Sequence, residues 1–392
     1  MPQTICYVLS AFPVLSETFV TNEIRAMRAL GHRIVPVALA PYNGPCQPED
    51  APMRDEAVQL ASIPTLRGLT LRPERWAAAW RFVRAQRGIP ARSLLRAAAR
   101  VAAVVRREGC THVHAHFAHS AAATAITAAR LAGVSVSFIG HGCDIYGDPC
   151  DLPAKLQAAD LVFATCADMA ADFFRLAPGA NVRVVPCGID PDRFAPREGP
   201  RNGRLLAIGR LAEQKGYPIL LAALAALPQA RRPVVDVVGT GPLAAMLQDE
   251  ARRLGVEASV RFLGARPSAW IAAEGPGYLG LVAPFVVCTN GDRDTGPMVA
   301  KEALAMGLPV VASALMGLKE TVTPACGRLL PPGDPRALAE ALVWLAGLDA
   351  DERARLGAAG RLHVRAHFTL AGQADSITAA IESVQKVLPC AA

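Results

Sequence analysis

Aromatic residues make up only 5% of this 392-residue chain although 52% of it is hydrophobic, so alanine and valine carry the apolar character. No uninterrupted run of eighteen apolar residues occurs, which argues against a membrane-spanning helix. The opening stretch from Met1 to Phe12 lacks a basic n-region and reads as a first strand, not as a secretion signal. The ten cysteines, scattered from Cys6 to Cys390, contain no C-x-x-C pair. That spacing disfavours a disulfide framework or a zinc knuckle and fits isolated buried thiols in a reducing cytoplasm. No repeat of solenoid period is visible, and low complexity is limited to alanine-rich helices.

Acidic residues are scarce in one region. Between Arg67 and Arg107 eleven arginines face only Glu74, with Glu108 just beyond, and the net charge of the chain is +7. Trp76, Trp80 and Phe82 are interleaved with the first of them. Arginines three and four apart with tryptophans between predict helices with a cationic face and an aromatic edge. Such a face suits anionic lipid, and it equally suits an ordinary solvated surface. No nucleic-acid-binding module accompanies the patch, so nucleic acid is not expected as a partner.

A chain of this length exceeds one ordinary core and suits two domains of roughly 150 to 200 residues. Strand-like runs alternate with helix-like runs almost throughout, which predicts βαβ units and parallel sheets. A Pro/Gly/Asp-rich break at Pro186–Asp192 separates two similar halves. The expected division is residues 1–187, residues 188–369, and a terminal helix, 370–392, that crosses back to the first half. Two such halves imply a cleft lined by the carboxyl ends of the strands.

The densest chemistry lies in "NGDRDTGPMVAKEALAMGLPVVAS", residues 290 to 313. Asp294 and Glu302 stand eight positions apart across a loop and a helix start. Thr295 and Gly296 suit a cap and a close approach, and Pro297 suits the first helical position. The free N–H groups behind it, at Met298 and Val299, then form an anion site. Glu302, about two turns on, reaches a second part of the same ligand. An anion with polar groups at both ends describes a nucleotide-sugar.

This segment resembles the signature of the retaining glycosyltransferases of family four, the glycosyl transferases group 1. Members carry two glutamates separated by seven residues, a Gly-x-Pro between them and a "GxPVVA" strand after. Pro297, Glu302 and "GLPVVAS" from Gly307 to Ser313 match. Gly296 falls one place off, and Asp294 is one methylene shorter than the family's glutamate. Phe285 stands where relatives often have serine. The resemblance covers nearly the whole chain and implies an α/β fold of the GT-B type, with two Rossmann-like parallel-sheet domains facing across a cleft.

Other segments extend the resemblance. "AIGRLAEQKG" resembles the block in which an arginine and a lysine hold the donor diphosphate, here Arg210 and Lys215, though both also read as plain surface cations. "VVGTGP" resembles a turn that lines the donor pocket, with Gly239 and Gly241. "SFIGHGCDIY" resembles the first-domain segment whose histidine, here His141, lies near the donor sugar or its phosphate, with Asp144 beside it. "FPVLSETF" resembles a subgroup associated with exopolysaccharide and colanic- or amylovoran-type capsule assembly. Ser16 there reads as a helix N-cap, and Ser16 and Thr18 as acceptor-side residues. "HAHF" implies cleft packing or acceptor contact for His116.

Two metal-like patterns are read as decoys. Asp190-x-Asp192 and Asp292-x-Asp294 lack the context of a metal-binding D-x-D, and the run His112, His114, His116, His119 is not expected to hold zinc. No metal and no cofactor is expected beyond the co-substrate, a UDP- or GDP-linked sugar. The sequence therefore predicts a cytoplasmic, peripheral-membrane enzyme. It transfers a sugar to a lipid-linked or saccharide acceptor, with Arg210, Lys215, His141 and Asp294 in the chemistry. An epimerase or phosphorylase of the same fold, and a nucleotide-sugar-binding protein that has lost turnover, are the alternatives.

Overall fold

The computed structural model describes residues 1–197, 199 and 201–387. The chain divides into two units, Met1–Cys187 with the helix Leu370–Val387, and Gly188–Thr369.

The first unit is built on a seven-stranded sheet. Its strands are β1 (Thr4–Leu9), β2 (Arg33–Ala38), β3 (Val58–Gln59), β4 (His112–His116), β5 (Ser135–Ile139), β6 (Leu161–Ala164) and β7 (Val182–Val184). They are ordered β3-β2-β1-β4-β5-β6-β7, all parallel. The central strands β1, β4, β5 and β6 are almost wholly buried, as expected where helices cover both faces of a parallel sheet. The helix Thr18–Ala29 turns Val20, Ile24 and Met27 inward, where Ala374, Ile377 and Ile381 of the terminal helix join them.

The arginine-rich stretch forms a short 3₁₀ turn, Thr65–Gly68, and two helices, Pro73–Arg84 and Ala91–Arg107. Apolar residues at helical spacing, Leu94, Ala98, Val101, Ala102 and Val105, fix the buried face of the second. Several of the arginines are structural. Arg75 donates to the Ala132 carbonyl (2.6 Å) and Arg106 to that of Leu131 (2.7 Å), closing the C-terminal end of the helix Ser120–Ala132.

The second unit carries a six-stranded parallel sheet of β8 (Leu205–Ile208), β9 (Val235–Val238), β10 (Val260–Gly264), β11 (Leu281–Ala283), β12 (Val310–Ser313) and β13 (Gly327–Leu330). Its order is β10-β9-β8-β11-β12-β13. In each sheet the order reverses beside the first strand of the unit, at β1/β4 and at β8/β11. Doubly wound sheets bind ligands at the carboxyl ends of the strands flanking such a switch point. The loops after β1, β4 and β5, and those after β8, β9 and β11, are thereby singled out.

Candidate active site

In the second unit the loop after β8 runs from Gly209 to Gly216 and carries both cations. Arg210 is exposed, and its guanidinium makes no hydrogen bond or ion pair among the described residues. Lys215 points the other way. Its Nζ lies 2.5 Å from Asp294 Oδ2 and 4.1 Å from the centre of the Phe285 ring. Both partners of the ion pair are largely covered, with side-chain exposures of 14% and 21%.

Two glycines make this packing feasible. Gly216 has φ +65°, and a Cβ there would fall 1.8 Å from the Pro284 carbonyl oxygen. Gly239 has φ +146°, and its Cβ would fall 2.0 Å from the Gly209 oxygen. The turn after β9 thus presses on the cation-bearing loop, and Leu211 N donates to Thr240 O at 2.9 Å. Gly241 belongs to the same close approach, since its Cβ would meet Leu211 O at 2.5 Å. The direct effect of these two glycines is to position the loop of Arg210 and Lys215.

Asp294 uses its second oxygen locally, accepting from Gly296 N at 3.3 Å. The helix that follows is Met298–Ala305, so Pro297 is its N-cap and not its first helical residue. The correction has a simple cause: Pro297 has ψ 124°, extended and not helical. The first-turn N–H groups of Met298 and Val299 have no acceptor inside the helix, which leaves the positive end of its dipole at the tip of the loop. Glu302, on the second turn, is partly buried. Burial pushes its carboxyl up to about 7, against the opposing pull of Arg193 and Lys301.

The first unit places a buried polar network at the ends of β4 and β5. Glu23 Oε1 accepts from Tyr7 OH (2.9 Å) and lies 3.2 Å from His116 Nε2, while Oε2 accepts from Gln373 Nε2 (2.8 Å). His116 Nδ1 meets His141 Nε2 at 3.0 Å, and the two rings lie 6° from parallel. Burial pushes the Glu23 carboxyl up, but His116, His114 and Tyr7 together outweigh it and hold it below its ordinary value. Burial also holds His141 well below the usual histidine range and His114 down at about 3. Phe19 and Phe117 flank His141 at ring-centre distances of 4.3 and 4.7 Å.

Several expectations change here. Asp144 is buried, and both its oxygens are taken by backbone: His141 N and Gly142 N on Oδ1, each at 2.9 Å, and Ala118 N on Oδ2 at 2.7 Å. It joins the two loops that present His116 and His141, with its carboxylate committed to their backbone. Ser16 is exposed and caps nothing, because the helix begins at Thr18 with Glu17 at the cap position. The histidine run does not act as one cluster. His112 bonds Ser135 and Ser137, and His119 bonds the Asp148 carbonyl. Among the described residues, Glu23, His114 and His116 are brought together, with candidate ligand atoms within 4.8 Å of one another.

The sequence reading missed Glu23 and Gln373. A signal for the first was present: Glu23 falls between Val20, Ile24 and Met27, on the apolar face of its helix. A carboxylate there requires partners.

Most of the residues just described fall inside two family matches. Residues 16–193 match the family described as Glycosyltransferase Family 4, and residues 202–347 match that described as Glycosyl transferases group 1. The chain belongs to the family-four glycosyltransferases. Among relatives, it is 27% identical over 383 residues to the putative colanic acid biosynthesis glycosyltransferase of Escherichia coli, covering 89% of this chain and 92% of that one. It is 31% identical over 183 residues to the amylovoran biosynthesis glycosyltransferase of Erwinia amylovora, 44% of each chain.

Among solved structures, the sucrose-phosphate synthase of Thermosynechococcus elongatus superposes with a TM-score of 0.75 at 21% identity, over 98% of this chain and 100% of that one. Anabaena HepE, crystallised in complex with UDP, gives 0.74 at 18% identity over 97% and 100%. The fold of this family-four glycosyltransferase is accordingly GT-B, made of two Rossmann-like parallel-sheet domains.

Proposed function

We propose that the protein moves a sugar from a UDP- or GDP-linked donor to a lipid-linked or saccharide acceptor in cell-surface polysaccharide assembly, with retention at the anomeric carbon. One observation carries this reading: Arg210, Lys215, Asp294, the Met298 helix start and Glu302 are supplied by loops and a helix start at one end of the β8/β11 sheet. In kind they are two cations and a helix dipole for a diphosphate, one carboxylate for sugar hydroxyls and one for ribose hydroxyls. The named capsule-assembly relatives support the acceptor class, and the UDP bound by Anabaena HepE supports the donor class.

Retention without a protein nucleophile implies a front-side reaction through an oxocarbenium-like state, in which the leaving phosphate takes the acceptor proton. The protein's work is then to stabilise charge that grows on the departing diphosphate. Arg210, Lys215 and the N–H groups of Met298 and Val299 supply that stabilisation. Product analysis tests the reading: an α-linked donor should give an α-linked product, and a β-linked product overturns it.

The reaction is proposed to be metal-independent on the chemistry of the carboxylates. Asp190 Oδ1 accepts from Asp192 N and Arg193 N, and Asp192 is ion-paired with Arg361 and Arg365. Asp294 is committed to Lys215 and Gly296. With both its oxygens engaged, Asp294 offers a divalent ion no open carboxylate in the donor loop. Turnover should persist in excess EDTA, and loss of turnover restored by manganese contradicts this.

Glu302 gives the donor site a pH signature. Its carboxyl, raised to about 7, is neutral at pH 5 and ionised above 8, and ribose hydroxyls donate to the ionised form. Donor affinity should plateau above about pH 7 and fall by up to about tenfold per unit below it. A nucleotide-sugar is the right probe, because its diphosphate does not titrate in this range. Glu302→Gln should bind more weakly and without that slope; an unchanged slope removes Glu302 from the nucleotide site.

Association with the inner face of the membrane is proposed on a corrected set of residues. Arg75 is committed to a helix end, and Trp76 is half-buried with its indole donating to Thr70 O at 2.7 Å. Exposed arginines of this stretch include Arg67, Arg72, Arg81, Arg84, Arg87, Arg92 and Arg96, and Leu66, Leu71 and Trp80 are exposed in the same stretch. No helix among the described residues is long and apolar enough to cross a membrane. Arginine near an anionic surface contributes about 1 kcal/mol each, so Arg72, Arg81 and Arg84 changed together to glutamate should weaken vesicle binding at least about a hundredfold. Binding should also rise with phosphatidylglycerol content and fall with salt. Wild-type protein that ignores anionic vesicles at low salt makes this an ordinary solvated face.

A further inference from the structure

We propose that Lys215 and Asp294 are a partner-exchange pair that lets the enzyme hold a nucleotide-sugar and release the bare nucleoside diphosphate. The proposal rests on the reading of Lys215 as a diphosphate ligand. Without donor, Lys215 Nζ sits 2.5 Å from Asp294 Oδ2, with the Phe285 ring on another side at 4.1 Å. Each charged group therefore blocks the other. Both are mostly covered, so neither is well served by water once separated.

A diphosphate brings two negative charges and several oxygens where Asp294 brings one charge. With Arg210 and the helix start assisting, it takes Lys215 from the carboxylate. Asp294 keeps its place in the loop, because Oδ1 still holds Gly296 N at 3.3 Å. Its freed oxygen is then an acceptor without a donor, close to a second anion. The hydroxyls of the donor's sugar supply the missing hydrogen-bond donors. After transfer the sugar is gone, and the same carboxylate faces a nucleoside diphosphate with nothing to offer it. It then competes to recover Lys215 and drives the product out.

The short aspartate suits this exchange. Its reach is fixed by the bond to Gly296, and Phe285 gives the ammonium an apolar wall and no alternative acceptor. The pair is thus a specificity device: it penalises binding of the diphosphate alone and spares binding of the diphosphate with its sugar.

Calorimetric titration of the full chain with UDP and GDP, as wild type, Asp294→Asn, Lys215→Met and the double variant, tests it. Removing the competing charge in Asp294→Asn should tighten the nucleoside diphosphate by about tenfold, and removing the cation in Lys215→Met should weaken it by at least about tenfold. In the double variant the gain from Asp294→Asn should vanish, because no lysine remains to be released. Asp294→Glu, which keeps the charge, should not show the gain and controls for the fold of the loop. If Lys215→Met weakens binding while Asp294→Asn does not tighten it, the exchange is refuted and the diphosphate site stands. If Lys215→Met leaves binding unchanged, the diphosphate role of Lys215 fails as well.

Discussion

Arg210→Ala and Lys215→Ala should each lower kcat/KM by a factor of roughly 30 to 1,000, or about 2 to 4 kcal/mol of transition-state stabilisation. The expectation comes from where charge moves in the proposed reaction. Bond cleavage leaves a full additional charge on the diphosphate, and the loop after β8 supplies two cations, one of them bonded to Asp294 just before the helix start. The two losses differ in kind. Arg210 has no partner to leave behind, so its removal subtracts a cation and nothing more. Removal of Lys215 also leaves Asp294 without its cation. A folded Arg210→Ala/Lys215→Ala variant with unchanged kcat/KM would remove this site from the account.

Asp144→Ala should lower the melting temperature of the first unit by about 10 °C, from a loss of about 3 to 5 kcal/mol. Three backbone N–H groups, at Ala118, His141 and Gly142, end on this one buried carboxylate. An alanine leaves all three without an acceptor in a site too enclosed for easy repair. Nucleotide binding by Gly188–Thr369 should persist, which separates a structural loss from a catalytic one. A melting temperature within 2 °C of wild type contradicts the assignment of Asp144 as the tie between the two loops.

The fold was legible because its signal is repeated. Each strand–helix alternation argues for a parallel sheet, and thirteen strands in two such sheets repeat the argument. The edge strand Val58–Gln59 carries no such signal, because two residues show no periodicity. In the second unit the candidate site was legible because its residues lie in short blocks. Arg210 and Lys215 share one loop, and Asp294 to Glu302 share another segment with its helix. The Lys215–Asp294 bond joins those blocks across 79 positions, a pairing that no local pattern states.

In the first unit the decisive residues come from separate helices. Glu23 and Gln373 meet from 350 positions apart. Spacing placed His112, His114 and His116 on one strand, but neighbours settled their roles: Ser135 and Ser137 hold His112, and Glu23 holds His116. The arginine patch was only partly legible for a related reason. Sequence shows a charge but not the helix end that consumes it, so Arg75 looked like Arg81 although only the latter is exposed.

The central claim is that Gly188–Thr369 binds a nucleoside diphosphate-sugar. Thermal scanning of the full chain against UDP, GDP and ADP and their sugar conjugates tests it most directly. One base should stand out, and its sugar conjugate at about a hundred times its Kd should add about 2.7 kcal/mol of stability to that unit. The shift should fall to about half or less in Lys215→Ala and be kept in Asp144→Ala. A chain whose melting none of these nucleotides moves, at concentrations up to the millimolar range, would contradict the account.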